Sequence, residues 1–77
     1  MKYSFEIGKI RIDAINTLTS YVKDHGDLIT KDYRVSMNPG LNQLAISSIP
    51  YEIGSTRLLE DIDTDLICLL ADKSQLP

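Results

Sequence analysis

Residues 55–71, STRLLEDIDTDLICLLA, carry the strongest pattern in this sequence. At about 100° per residue, six leucine and isoleucine side chains fall within one arc of roughly 120°, the width expected of a core-facing helix. These six are Leu58, Leu59, Ile62, Leu66, Leu69 and Leu70. The pattern predicts a helix with one buried side, against which the other segments pack.

Polar residues in and around the same stretch support this helix. Five of them project on the opposite arc: Arg57, Glu60, Asp61, Asp65 and Asp72. Asp63 and Ile67 lie at the boundary between the two arcs. Gly54 ends the preceding segment, and Ser55 or Thr56 can cap the free N–H groups of the first turn. The early acidic residues also suit the positive end of the helix dipole. We therefore expect the helix to begin near residue 55.

Size and composition predict one small globular domain spanning residues 1–77. The chain has 43% hydrophobic and 25% charged residues, which is ordinary for a folded protein. A domain of this length has a thin core and often gains burial by pairing. A homodimer is therefore a reasonable expectation.

The single cysteine and the absence of long apolar runs allow a prediction of where in the cell the protein resides. Cys68 cannot form an internal disulfide, whereas a small secreted domain usually carries several. The first residues, MKYSFEIGK, do not have the apolar run of a signal peptide, and no stretch reaches the length of a membrane-spanning helix. We expect a cytoplasmic protein with no membrane partner.

Charge is unevenly distributed along the chain, whose net charge is −3. Residues 1–38 contain six basic and five acidic side chains, and residues 39–77 contain two basic and six acidic ones. This asymmetry disfavours a general nucleic-acid or anionic-membrane surface and favours a basic partner.

The first 26 residues combine two periodicities. Tyr3, Phe5 and Ile7 alternate with polar residues, which predicts a first strand. After Gly8, the chain either turns tightly into a second strand through Ile10 and Ile12 or begins a helix near Lys9. The helical interpretation, which we favour, uses the spacing of four apolar residues: Ile12, Ile15, Leu18 and Val22. Both alternatives retain a helix from about Ala14 to His25, with Gly26 as its stop.

The middle of the sequence predicts a β-hairpin. Tyr33, Val35 and Met37 alternate with polar residues, and Asn38-Pro39-Gly40 has the composition of a turn. The second arm runs from about Leu41 to Ile49, with Leu44 and Ile46 on one face. The predicted fold is thus α+β in the order β-α-β-β-α. It has a three-stranded mixed or antiparallel sheet, two helices on one face and a frayed tail at residues 74–77.

Metal binding is poorly supported by the sequence. Asp61, Asp63, Asp65 and Asp72 have the spacing of calcium-loop ligands, but Leu66 stands where such a loop needs glycine. One cysteine and one histidine cannot form a closed zinc site. His25 lies at the predicted end of a helix, where it suits the helix dipole. We predict no metal and no cofactor.

The sequence also shows no catalytic equipment. It has no glycine-rich phosphate loop, no G-x-S-x-G motif and no recognisable pair of catalytic carboxylates. Cys68 falls among aspartates on the helical wheel, and neighbouring carboxylates disfavour a thiolate. We therefore expect a non-enzymatic protein.

The favoured interpretation is a protein-binding module, an inhibitor or regulator that contacts a basic partner surface through its acidic last helix. That partner could itself be a nucleic-acid-binding protein. The expected contact residues are Glu60, Asp61, Asp65, Cys68 and Asp72, together with Tyr51 and Arg57 in the preceding connection.

An alternative interpretation is a dimeric nucleic-acid-binding transcriptional regulator. The basic residues of the N-terminal half would contact phosphates, and dimerisation would double those contacts. These residues are Lys9, Arg11, Lys23 and Lys31. The charge distribution makes this the second choice.

Overall fold

A computed structural model describes residues 2–38, 40, 43–49 and 56–75, with backbone alone for residues 2–5. Within these residues the chain is a small α+β domain with two helices and a four-stranded antiparallel sheet. The elements are α1 (Lys2–His25), β1 (Leu28–Ile29), β2 (Tyr33–Asn38), β3 (Gln43–Ser48), β4 (Arg57–Leu58), a 3-10 turn (Leu59–Asp61) and α2 (Thr64–Ser74). The predicted class is confirmed, while the order and the number of strands differ.

The predicted first strand is wrong, because α1 is continuous from Lys2 to His25. Gly8 lies within this helix and forms neither a turn nor a helix start. The alternation of residues 3, 5 and 7 competes with a second pattern, in which Ile7, Ile10 and Ala14 follow one another at helical spacings. The helix that extends from Ala14 toward the N-terminus continues this second pattern.

The C-terminal half of α1 agrees with the sequence prediction. The helix ends as expected at Gly26, which has a φ of 87° and whose N–H donates to the carbonyl oxygen of Val22 at 2.9 Å. Leu18 and Val22 are buried, but Ile12 is 60% exposed and does not belong to the buried side. Ile12 lies about 120° around the helix from Leu18, too far to reach the core.

The hairpin is confirmed for its described residues. Strands β2 and β3 pair from Tyr33 opposite Ser48 to Asn38 opposite Gln43, which places Val35 opposite Ile46 on the buried face. Pro39 and Leu41, in the predicted turn and second arm, lie outside the described residues.

Two short strands flank the hairpin and were not predicted. Leu28 of β1 pairs with Val35, and Leu58 of β4 pairs with Ala45. The sheet order is β1-β2-β3-β4, with a two-residue strand at each edge. Such short edges offer little unpaired backbone to another chain.

The predicted helix at residues 55–71 begins about nine residues later than expected. Residues 57–61 form β4 and the 3-10 turn, and α2 starts at Thr64. Asp63 is its N-cap, because its side-chain oxygen accepts a hydrogen bond from the backbone N–H of Leu66 at 2.9 Å. Ser74, the first residue of the predicted tail, is the last residue of α2 and is buried.

This later start changes which side of α2 is buried. Ile67, predicted at the boundary, is fully buried, whereas Leu69, predicted in the core, is 49% exposed. Leu59 and Ile62 are buried as expected, but they precede α2. The buried side of the helix itself consists of Ile67, Leu70, Ala71 and Ser74.

Replacing Asp63 with alanine is expected to lower the free energy of unfolding by about 1 kcal/mol, because the first turn of α2 loses its cap. Urea denaturation followed by circular dichroism measures this change. Asp61→Ala is the control, since Asp61 is exposed at the end of the 3-10 turn and an exposed substitution usually changes stability by about 0.5 kcal/mol or less. Equal losses for the two variants would contradict the assigned helix start.

Both helices pack on one face of the sheet and run parallel to each other. Arg11 of α1 contacts Thr64 at the start of α2, and Tyr21 of α1 lies beside Gln75 at the end of α2. The core contains residues from both helices, β1, β2, β3 and the 3-10 turn. Among the described residues, no helix is long and apolar enough to cross a membrane.

Candidate functional site

The outer face of α2, defined by Asp65, Leu69 and Asp72, combines acidic and apolar groups. Residues four and three positions apart lie on the same side of a helix. All three side chains are exposed, and Leu69 lies between the two carboxylates along the helix. Lys73 is also exposed and follows Leu69 by one turn. This face therefore has an apolar centre with charge around it.

Two further predicted contact residues precede α2. Glu60 and Asp61 lie in the 3-10 turn and are exposed. The Glu60 carboxylate accepts a hydrogen bond from Nε2 of Gln43 at 2.5 Å, so β3 holds its position. The acidic residues thus continue from the 3-10 turn onto α2, while Asp63 between them is used as the helix cap.

The remaining predicted contact residues do not share this face. Arg57 is exposed in β4 opposite Ile46 and lines a hollow with Leu66, on the sheet side of α2. Cys68 is half-buried, has a free thiol and lies beside Ala14 on the α1 side. Tyr51 lies outside the described residues.

Arg11 of α1 donates hydrogen bonds to the segment that leads into α2, a role that the sequence did not indicate. Its Nη1 donates to the carbonyl oxygen of Ile62 at 2.7 Å and to Oγ1 of Thr64 at 3.3 Å. Its Nη2 donates to the carbonyl oxygens of Glu60 at 2.7 Å and Leu59 at 3.2 Å. We call this set of hydrogen bonds the Arg11 clasp. It fixes the 3-10 turn and the start of α2 against α1.

The clasp bears on the alternative nucleic-acid interpretation. Arg11 was expected to contact phosphates, but its guanidinium group is engaged with backbone carbonyls inside the domain. Lys9, Lys23 and Lys31 are exposed. The sequence contains one signal for the clasp. Arg11 lies two helical turns before Leu18, so both side chains are on the same, core-facing side of α1.

The other candidate site residues were His25 and the aspartates with calcium-loop spacing. His25 is exposed as the last residue of α1, and its ring centroid lies 4.9 Å from that of Tyr21. Among the described residues, no three His, Cys, Asp or Glu side chains are arranged to hold a metal ion. Asp63 of the calcium-like spacing is occupied as a cap.

A small cavity lies between α1, the hairpin and the 3-10 turn. It has a volume of about 150 Å³ and is lined by Ile15, Met37, Leu44 and Leu59, among others. The hydrogen-bonded pair Gln43 and Glu60 also borders it. This volume is below the roughly 300–1,000 Å³ of typical ligand pockets. A larger hollow of about 430 Å³, between the C-terminal ends of α1 and α2, is lined by polar side chains and tyrosine, whereas typical ligand pockets are mostly apolar.

Comparison of the chain with protein-family models, curated proteins and solved structures finds no significant match.

Proposed function

We propose that this chain is a non-enzymatic protein-binding module that inhibits or regulates a protein with a basic surface. The contact is made by the outer face of α2, with Glu60 and Asp61 extending it. Leu69 is inserted into an apolar pocket of the partner, and lysine or arginine residues around that pocket face the carboxylates.

The observation that carries this proposal is the exposure of Leu69 between Asp65 and Asp72. Full burial of an exposed leucine side chain contributes about 1.5–3 kcal/mol, and Leu69, which is 49% exposed, has about half of its surface left for a partner to cover. Carboxylates around such an anchor contribute mainly to association rate and to selection of the partner. An apolar centre with a charged rim is the usual arrangement of a protein-binding surface.

The face is also held rigidly. Asp63 caps the first turn of α2, and the Arg11 clasp fixes the segment that leads into it. On its inner side, α2 is anchored by the fully buried Ile67 and Leu70. A binding surface that is already ordered loses little conformational entropy when a partner docks.

The test is recovery of a partner with the tagged full chain at modest salt, followed by affinity measurement on the purified pair. We expect Leu69→Lys to weaken the complex by about 10–100-fold, since it removes the anchor and adds a positive charge that faces the basic partner. Asp65→Lys is expected to slow association and to reduce its dependence on salt.

Two control variants accompany this test. Ile29→Lys changes a side chain that is 60% exposed on β1, and Asp32→Lys reverses an exposed charge between β1 and β2. Both are expected to bind the partner as the wild-type chain does. A partner whose affinity is unchanged by Leu69→Lys and Asp65→Lys, or is equally weakened by the controls, would refute the proposed surface.

A further inference from the structure

The N-terminal extension of α1 comprises residues 2–10, and the structure describes its side chains from Glu6 to Ile10. Helix α1 has 24 residues and is therefore about 36 Å long, whereas α2 has 11 residues. From Glu6 to Ile10, no side chain belongs to the core or packs against it. Ile7 is 44% exposed and Ile10 is 51% exposed.

The helical form of this extension needs an explanation. Its sequence contains aromatic and β-branched residues and Gly8, all of which are modest or poor helix formers. Its first turn has no acidic residue to interact with the helix dipole. Most helical stability in proteins comes from packing of an apolar face, so the exposed isoleucines point to a packing partner.

The exposed isoleucines belong to a regular stripe. Ile7, Ile10, Ala14, Thr17 and Tyr21 follow one another at spacings of three, four, three and four residues. This is the a/d spacing of helices that pack along a shared seam. The covering element indicated by this stripe is therefore another helix.

The stripe continues into a groove between α1 and α2. The groove has a volume of about 230 Å³, and its lining includes Ile10, Ala14 and Thr17 from α1 and Cys68 and Ala71 from α2. Most of these side chains are small, so the groove can receive larger ones. Ile7 and Ile10 thus lie at the N-terminal end of the stripe, and the groove beside Ala14 and Thr17 leaves space for such side chains.

We propose that this surface pairs with a second copy of the same chain, with the two α1 helices antiparallel. Ile10 of each copy lies over Ala14 of the other, and Ile7 lies over Thr17. In these two pairs a large side chain faces a small one, and the two-fold symmetry of an isologous interface repeats each pair.

Electrostatics favour this antiparallel arrangement. Because α1 and α2 run parallel within one chain, their C-terminal ends, which carry partial negative charge, lie at the same end of the domain. The side chains exposed near these ends carry both signs, Asp24 and Asp72 together with Lys23 and Lys73, so the helix dipoles decide the preference. The antiparallel partner brings the positive N-terminal end of its α1 to this location.

Sedimentation velocity between about 1 and 100 μM tests the dimer. The wild-type chain is expected to associate, and Ile10→Glu is expected to weaken association about 100-fold, because two buried isoleucines are lost per dimer. Ile12→Glu is the matched control, since Ile12 is 60% exposed on another side of α1. A monomeric wild-type chain, or equal disruption by Ile12→Glu, would overturn the proposal.

A disulfide experiment tests the orientation. In a Cys68→Ser background, Ile7→Cys and Thr17→Cys are combined in one chain. The two positions are ten residues apart on one helix, about 15 Å, so they cannot bridge within a chain. Mild oxidation is expected to give a covalent dimer on a non-reducing gel. Absence of that dimer, or equal cross-linking by Ile7→Cys alone, would refute the antiparallel pairing.

Discussion

Replacement of Ile67 with alanine is expected to lower the free energy of unfolding by about 3 kcal/mol, whereas the same change at Leu69 lowers it by less than about 1 kcal/mol. Ile67 is fully buried, and truncation leaves a cavity in the core that also contains Leu18 and Leu70. Leu69 is 49% exposed, so its truncation removes little buried surface. Alanine is also a slightly better helix former than leucine.

Urea denaturation at one fixed protein concentration measures both variants, because a dimer would make stability depend on concentration. The pair is informative since the sequence pattern assigns these residues the opposite way, with Leu69 in the core and Ile67 at the boundary. If Leu69→Ala were the more destabilising change, the buried side of α2 would have to be reassigned.

Replacement of Arg11 with alanine is expected to lower the free energy of unfolding by about 3 kcal/mol. Hydrogen bonds to charged groups contribute roughly 1.5–3 kcal/mol each, but these share one side chain and do not add fully. The loss leaves the carbonyl groups of Leu59, Glu60 and Ile62 without the donors that the guanidinium supplies.

Two further variants separate the hydrogen bonds from the charge. Arg11→Lys is expected to recover only part of the stability, because an ammonium group lacks the planar fork of donors. Lys9→Ala removes an exposed positive charge from the same helix and is expected to change stability by about 0.5 kcal/mol or less. A loss for Lys9→Ala as large as that for Arg11→Ala would show that net charge, not the clasp, accounts for the effect.

The parts of the fold that were predicted correctly rest on local chemistry. The hairpin follows from the alternation of its first arm and from the turn sequence after it, and the end of α1 follows from a glycine that adopts positive φ. Each signal lies within a few residues of the structure that it specifies. No distant contact is needed to interpret it.

The parts that were missed depend on distant contacts. The strands β1 and β4 have two residues each, too few to show any periodicity, and they exist because they pair with the hairpin. The phase of α2 was misassigned because Leu59 and Ile62 are buried from a 3-10 turn and an extended residue. Including them in a helical wheel rotated the predicted buried side toward Leu69.

The candidate site was predicted only in part for the same reason. Charge alone identified Glu60, Asp61, Asp65 and Asp72 as surface residues, and all four are exposed. The apolar centre of the face could not be identified, because Leu69 belonged to the expected core. The division of Arg57 and Cys68 between opposite sides of α2 depends on where the sheet and α1 lie.

The Arg11 clasp joins residues that are 48 to 53 positions apart in the chain. At synthesis rates of about 5–20 residues per second, roughly 3–10 s pass between the making of Arg11 and the making of its acceptors. During this interval α1 has neither the acceptors of Arg11 nor α2 to pack against. Because most helical stability comes from packing of an apolar face, α1 is expected to become a stable helix only after residues 59–64 have been made.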